Sequence, residues 1–158
     1  MPTHYRGDEK EVLALDAFIK LTRAMESVGS RLFACGCLGD LTTSQFSVLE
    51  ALYHLGPMNQ TEVSSKLLKS TSNMVTVIDN LENRGLVRRQ RDQRDRRSVV
   101  VILTDSGSEV IARVLPLHVE AIVKEMSVLT PGEQRELGRL CRKLGKRETA
   151  PESPDSSC

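Results

Sequence analysis

Apolar residues recur with the 3.6-residue period of an α-helix along most of the chain, and this pattern changes only near the middle. In the first segment Leu15, Ile19 and Leu32 share one face, whereas Lys20 and Glu26 lie on the other. The period predicts helices over residues 9–34, 42–55, 59–67 and 70–84, and two more within residues 104–147.

Polar residues mark where these helices begin. A Ser, Thr or Asn followed three residues later by Glu or Gln can form a capping box, which satisfies backbone N–H groups of the first turn. Such boxes are Thr42 with Gln45, Asn59 with Glu62 and Thr130 with Glu133. Ser70 is the predicted N-cap of the fourth helix, and Gly85 supplies the left-handed residue that ends it. Because their connection is short, the third and fourth helices are predicted to form a helix-turn-helix.

The helical period stops at Gly85. Residues 86–90 and 98–103 are predicted strands, the second being rich in Val and Ile, and the charged residues 91–97 form the hairpin loop between them. The predicted fold class is mainly α with a small two-stranded β wing. The architecture is a winged helix-turn-helix flanked by further helices.

Motifs at several positions resemble those of the MarR (multiple-antibiotic-resistance regulator) family of repressors. The matching segments are residues 41–49, residues 81–87, the wing pattern Asp92-x-Arg94-Asp95-x-Arg97 and the pattern Leu103-Thr104-x-x-Gly107. The resemblance covers residues 10–147 and implies a homodimer whose wings contact duplex DNA. It divides the chain into an N-terminal dimerisation helix (1–34), a winged DNA-binding domain (41–103) and C-terminal dimerisation helices (104–147). Residues 148–158, rich in Pro, Ser and acids, are predicted to be a disordered tail.

The distribution of charge independently indicates a nucleic-acid contact. The chain of 158 residues has a net charge of only +1, but residues 66–97 carry nine basic and four acidic side chains. Seven of these basic residues are arginines between positions 84 and 97, a cluster typical of a surface that binds phosphates. Only five aromatic residues are present, which disfavours a protein that stacks single-stranded bases.

The fourth helix is predicted to read the DNA. Met74, Val77, Ile78 and Leu81 share one face and should pack inward, which leaves small hydroxyl and amide side chains outside. Such side chains suit base edges and phosphates. The predicted DNA contacts are Lys69, Ser70, Thr71, Ser72, Asn73, Thr76, Asn80, Arg88, Arg94 and Arg96, with Lys66 and Arg89 as further phosphate contacts.

The hairpin loop is predicted to act as a wing. Arg94 and Arg96 lie at its tip, where an arginine can enter a minor groove and respond to its width. Asp92 or Asp95 can hold Arg97 across the hairpin and fix the tip, and the family resemblance implies the same arrangement.

Two cysteines allow two interpretations. Cys35 and Cys37 flank Gly36 after the first helix and are either small residues of a tight loop or a thiol sensor, for which Arg31 is the local cation. A direct disulfide between them would close a small ring, so an adduct or an intersubunit bridge is the expected sensor chemistry. Cys141 lies on the apolar stripe of the last helix and is expected to pack in the core or in an interface.

Several classes of protein are disfavoured. The spacing of Cys35 and Cys37 is too short for a zinc chelate, and His4, His54 and His118 form no pattern with carboxylates or cysteines, so no metal or other cofactor is expected. No acyl- or phosphoryl-transfer motif is present, which predicts a protein that is not an enzyme. No apolar run approaches the ~18 residues of a membrane span and no signal-peptide pattern opens the chain, so a cytoplasmic location is expected.

These features predict a homodimeric repressor that binds an inverted repeat in double-stranded DNA and is released by a small-molecule or an oxidative or electrophilic signal. One alternative is a winged-helix module that binds proteins, which would require an apolar recognition face. Another is a thiol redox protein using Cys35 and Cys37, which would be expected to show C-x-x-C spacing within a βαβ unit.

Overall fold

The structure is a computed structural model, and it describes residues 4–68, 70–91 and 98–146. Six helices and three strands are present in these residues. In chain order they are α1 (Glu9–Ala34), α2 (Thr43–Leu55), β1 (Met58–Asn59), α3 (Gln60–Lys66), α4 (Thr71–Asn83), β2 (Val87–Arg91), β3 (Val99–Leu103), α5 (Asp105–Met126) and α6 (Pro131–Lys146). The predicted fold class, mainly helical with a small β wing and a winged helix-turn-helix, is confirmed.

Capping boxes fix the helix starts as the sequence predicts. Backbone N–H groups and side-chain oxygens pair reciprocally at Thr42 with Gln45, at Asn59 with Glu62 and at Thr130 with Glu133. A fourth box, Asp8 with Glu11, begins α1. At the other end of α4, Gly85 takes a φ of +69°, the left-handed conformation that glycine adopts without steric cost.

The sheet contains a short strand that the sequence pattern does not reveal. Its order is β1-β3-β2 and all pairs are antiparallel, with Met58 opposite Val101 and Val87 opposite Leu103. The predicted hairpin is therefore the larger part of a three-stranded sheet. β1 connects the end of α2 to the start of α3 and so ties the helix-turn-helix to the hairpin.

One apolar core holds the winged unit together. The side chains of Leu49, Met74, Ile78, Leu81 and Ile111 are fully buried and come from α2, α4 and α5. A fully buried side chain of this size contributes about 1.5–3 kcal/mol relative to its exposed state. This core fixes the inner face of α4, and therefore decides which face of α4 remains outside.

α5 approaches the base of the hairpin closely at Gly107. A Cβ atom at this position would lie 1.9 Å from the carbonyl oxygen of Leu86. Thr104 completes the junction, since its hydroxyl donates to the Gly85 carbonyl (2.6 Å) and accepts from the Gly107 N–H (3.0 Å). These contacts explain why a Thr followed three residues later by Gly occurs where α5 begins.

The chain forms two compact units, one up to Ile122 and the other from Val123 onward. In the described residues the second unit consists of the end of α5 and α6. α5 begins at Asp105 and packs Ile111 and Val114 into the core of the winged unit. No helix among the described residues has the length and apolar character that a membrane crossing requires.

Candidate nucleic-acid interface

α4 presents a polar face to solvent, as predicted. Met74, Val77, Ile78 and Leu81 are buried, which turns the opposite side of the helix outward. The exposed residues of the predicted contact set on and next to α4 are Ser70, Thr71, Ser72, Asn73, Thr76 and Asn80. We call these six residues the reading face. Their hydroxyl and amide groups can donate to and accept from base edges and phosphates.

The reading face begins at Ser70, which is the N-cap residue of α4. The Ser70 hydroxyl accepts from the backbone N–H of Asn73 (3.4 Å) and lies 3.4 Å from the Ser72 hydroxyl. Such a helix N-terminus carries free N–H groups and a partial positive charge, both of which favour a phosphate.

Six of the predicted site residues lie outside the described residues. They are the DNA contacts Lys69, Arg94 and Arg96 and the structural group Asp92, Asp95 and Arg97. The proposed roles of these residues therefore remain predictions from the sequence.

The two acidic residues of α4 next to the hairpin are paired with Arg89. Its guanidinium donates to Asp79 (2.5 Å) and to Glu82, and the Glu82 carboxylate also accepts from the Arg89 backbone N–H (2.9 Å). Partial burial opposes the charge of Arg89, but the hydrogen bonds to both carboxylates outweigh it and raise the pKa of the guanidinium. The pairing offsets one of the two negative charges on the helix that carries the reading face.

The prediction that Arg89 contacts phosphate is therefore corrected. Alternate side chains of a strand point to opposite faces, so Arg89 shares the face of the buried Val87, on the side where Asp79 and Glu82 lie. Arg88 takes the other face, is exposed, and makes no ion pair with any residue that the structure describes. Of the two neighbouring arginines, Arg88 is the one available for a phosphate.

Arg84 anchors the C-terminal end of α4. Its guanidinium donates to the Asp40 carboxylate (2.6 Å) and to the Gln45 side-chain oxygen (3.3 Å). Gln45 belongs to the capping box of α2, and Asp40 lies in the loop that precedes it. The end of the reading helix is thus tied to the segment that follows α1.

The segment between α1 and α2 contains Cys35 and Cys37, which are bonded to each other. Cys35 and Cys37 form a disulfide, which contradicts the expectation of an adduct or an intersubunit bridge. The physical reason is Gly36, whose φ of +65° turns the chain back and brings the two Cα atoms to 5.3 Å, a separation suited to a disulfide. Cys141 is exposed in the single chain, so it does not pack in the core, and its packing in an interface stays a prediction.

The structure also places a histidine beside this pair. His118 Nδ1 lies 3.7 Å from Cys37 Sγ, whereas Arg31, the expected cationic neighbour, donates to Ser27 (2.6 Å). The imidazole also packs edge-on against Phe46, with ring centroids 4.6 Å apart. A sequence signal for this contact exists, since His118 follows the buried Ile111 by seven residues and Val114 by four. Among the described residues no group of three His, Cys, Asp or Glu side chains could hold a metal ion.

Comparisons with known proteins agree with this geometry. The MarR family model matches residues 41–99, which include the helix-turn-helix and the start of β3. The uncharacterized HTH-type transcriptional regulator YkoM of Bacillus subtilis is 35% identical over 139 residues, which cover 88% of this chain and 90% of YkoM.

Two solved structures share the fold along most of their length. BpsR of Bordetella bronchiseptica, described for regulation of its DNA binding by 6-hydroxynicotinic acid, is 25% identical with a TM-score of 0.74 and covers 92% of this chain and 98% of its own. Sco3205 of Streptomyces coelicolor, a MarR family regulator solved with DNA, is 24% identical with a TM-score of 0.76 and covers 96% of each chain.

The relatives are transcriptional regulators, so the prediction of a protein that is not an enzyme is confirmed. Extensive identity to a regulator of similar length, the family match over the winged unit and the shared fold lead to one assignment. The chain belongs to the MarR family of DNA-binding transcriptional regulators.

Proposed function

We propose that the protein is a homodimeric repressor that binds an inverted repeat in double-stranded DNA, with α4 of each protomer in a major groove. A small-molecule or an oxidative or electrophilic signal releases it. The observation that carries the proposal is the reading face, an exposed set of hydroxyl and amide groups on a helix whose inner side is fully packed. Its nearest acids, Asp79 and Glu82, both pair with Arg89, which offsets one of their two charges.

The surroundings of α4 support contact with the DNA backbone. Arg88 is exposed on β2, and Ser70 and Thr71 lie at the start of a helix that favours a phosphate. We assign Lys69 to a phosphate as well, and Arg94 and Arg96 to an adjacent minor groove. Asp92 or Asp95 is assigned to hold Arg97.

Apolar side chains on the terminal helices support the dimer. On α1 the exposed ones include Leu13, Phe18, Met25 and Phe33, and on α6 they are Leu137, Leu140 and Leu144. An uncovered apolar surface of this kind marks an interaction site on a protein. We assign it to a second copy of the chain, because the inverted repeat requires two reading helices related by a two-fold axis.

Two proteins of the same fold support the proposed binding to DNA and the proposed response to a small molecule. Sco3205 was solved with DNA, and DNA binding by BpsR is regulated by 6-hydroxynicotinic acid. By analogy we propose that this chain, too, binds DNA and responds to a small molecule, and that it works in the cytoplasm, where its DNA is.

Selection of bound duplexes from a randomised pool tests the proposal directly. We expect the reduced protein to enrich an inverted repeat whose half-site centres lie about 10 base pairs or a multiple of that apart. Enrichment of a single unrepeated site, or no enrichment over the starting pool, would contradict it.

Substitution of Asn73 tests the reading face itself. Asn73→Ala should cost about 1–3 kcal/mol at one base pair of each half-site and relax the choice of base there, because an amide can bond a base edge at two points. The measurement is binding to a panel of single-base variants of the selected duplex. Asn83→Ala, at the exposed far end of the same helix, is the matched control and should leave base choice unchanged.

A further inference from the structure

The segment between α1 and α2 connects a disulfide to the reading helix. We call residues 35–42 the cysteine loop. Two backbone hydrogen bonds lie within it: the Gly39 N–H donates to the Gly36 carbonyl (3.0 Å) and the Leu41 N–H to the Leu38 carbonyl (3.2 Å). Leu38 and Leu41 are also buried in the core.

The disulfide contributes little to the stability of the fold. In the chain-entropy account a cross-link stabilises by restricting the unfolded chain, and the gain grows with the length of the closed loop. Only Gly36 separates the two cysteines, so this restriction is close to the smallest possible. A stabilising role therefore does not account for the pair.

The surroundings of the sulfurs suit reaction with small molecules. Cys35 is an exposed residue and Cys37 is half-buried, so the pair lies at the surface of the protein. His118 Nδ1 lies 3.7 Å from Cys37 Sγ, close enough to take the proton of a Cys37 thiol, and the edge contact with Phe46 holds the imidazole in place. A neighbouring base that favours the thiolate makes a cysteine a better nucleophile.

The cysteine loop reaches the reading helix through one ion pair. Asp40, three residues after Cys37, accepts from Arg84, which is the C-cap residue of α4. The Asp40 backbone carbonyl also lies 3.5 Å from the Arg84 guanidinium. A change in the course of the loop therefore acts on the end of α4 through a direct contact.

We propose that Cys35 and Cys37 are a reversible dithiol–disulfide pair, that His118 accepts the proton of the Cys37 thiol, and that the Asp40–Arg84 ion pair transmits the state of the loop to α4. The oxidant is a low-molecular-weight disulfide. This inference rests on the proposed function, since its readout is DNA binding, and it names the oxidative signal and the residues that respond.

The reaction proceeds in two thiol–disulfide exchanges. The Cys37 thiol gives its proton to His118, and its sulfur attacks the small disulfide; that S–S bond breaks, a mixed disulfide forms, and the released thiolate takes the proton from His118. Cys35, having lost its proton to solvent, then attacks Cys37 Sγ and expels the second thiolate, which solvent protonates. The two cysteines lose two electrons and two protons, and the small disulfide gains both.

The first test follows the thiols in a full-length Cys141→Ser/Cys158→Ser background, so that only Cys35 and Cys37 react. Reduced protein is treated with glutathione disulfide, quenched with an alkylating agent and weighed by mass spectrometry. We expect two alkyl groups before treatment, none after it and two again after reduction with dithiothreitol. Two results would contradict a reversible dithiol–disulfide pair. One is a glutathione adduct that persists without forming the Cys35–Cys37 disulfide, and the other is a pair of thiols that never react.

The role of His118 is tested by the rate of the same reaction at a fixed pH. His118→Asn should slow disulfide formation at least about tenfold, because proton transfer by a positioned side chain contributes that much or more. The matched control is His54→Asn, since His54 lies on α2 with its ring against Tyr53. Equal rates for the two variants would overturn the assignment of His118. Thermal melting of each variant separates this effect from a loss of folding.

The second test compares the affinity of the two redox states for the duplex selected with reduced protein. Oxidation should weaken binding by about tenfold, a typical allosteric coupling, and Cys35→Ser/Cys37→Ser should not respond. Asp40→Asn should still form the disulfide but lose most of the DNA response, whereas Asp16→Asn, which breaks the exposed Asp16–Lys20 pair of α1, should respond like wild type.

These outcomes separate the inference from the function on which it rests. Reduced protein that binds its duplex but is unaffected by oxidation would overturn the coupling and leave the proposed function standing. Equal responses of Asp40→Asn and Asp16→Asn would overturn the ion-pair route alone. Reduced protein that binds no DNA would overturn the proposed function and, with it, the coupling to α4.

Discussion

The helices of the winged unit and the terminal helices place their apolar side chains in opposite environments. α2, α3 and α4 each bury at least one apolar residue completely or nearly so. α1 and α6, which have 26 and 16 residues, bury none. The same amphipathic pattern thus leads to a packed core in one region and to an exposed apolar face in the other. The difference shows that the winged unit packs its core within one chain, whereas α1 and α6 expose the apolar side chains that we propose a second copy covers.

The largest expected effect is a loss of stability, and it tests the packed core of the winged unit. Leu49→Ala should destabilise the protein by about 2–5 kcal/mol, because it removes a fully buried side chain and leaves a cavity. Urea unfolding measures the loss. Leu55→Ala on the same helix, where the side chain is 58% exposed, should change the free energy of unfolding by a much smaller amount. Similar losses for the two variants would contradict the described core.

The next largest effect is the difference in stability between alanine substitutions at two glycines, one in each region. Gly107→Ala should destabilise by about 1–3 kcal/mol, because its Cβ would meet the Leu86 carbonyl oxygen at 1.9 Å and α5 must shift. Gly138→Ala in α6 meets nothing within 4 Å and should stabilise by up to about 1 kcal/mol through helix propensity. Thermal unfolding of both variants checks the sign of each change. A Gly107→Ala protein as stable as wild type would contradict the close approach of α5.

The smallest expected effects are changes in DNA affinity and in stability, and they distinguish the roles of the neighbouring Arg88 and Arg89. Arg88→Met should weaken binding to all DNA sequences alike and lower the salt slope by roughly one, while leaving stability unchanged. Arg89→Met should cost about 1 kcal/mol of stability, because the half-exposed ion pairs to Asp79 and Glu82 are lost. Salt-dependent DNA titrations and urea unfolding, done on both variants, distinguish the two roles. If both variants changed only DNA binding, the assignment of Arg89 to α4 would be wrong.

Local signals in the sequence predict most of the fold. The range predicted for α1, residues 9–34, is the one observed, and three capping boxes mark α2, α3 and α6 because their hydrogen bonds join residues only three apart. The reading face follows in the same way from the inward packing of α4. β1 is missed because two residues are too few to show an alternating pattern.

Contacts between distant residues explain what the sequence does not reveal. His118 and Cys37 are 81 positions apart and meet only when α5 packs against the winged unit. The role of Arg89 depends on the register of β2, since a shift by one residue would direct Arg88 to the carboxylates. The disulfide depends on the backbone conformation of Gly36, which the spacing of the cysteines does not specify.

Sedimentation equilibrium of the full-length protein at micromolar concentration tests the central claim most directly, namely that a second copy covers the apolar faces of the terminal helices. We expect a mass twice the chain mass of 17.6 kDa, and we expect Leu140→Glu on α6 to lower it toward that of one chain without changing the core of the winged unit. A wild-type protein that sediments as a single chain would contradict the account.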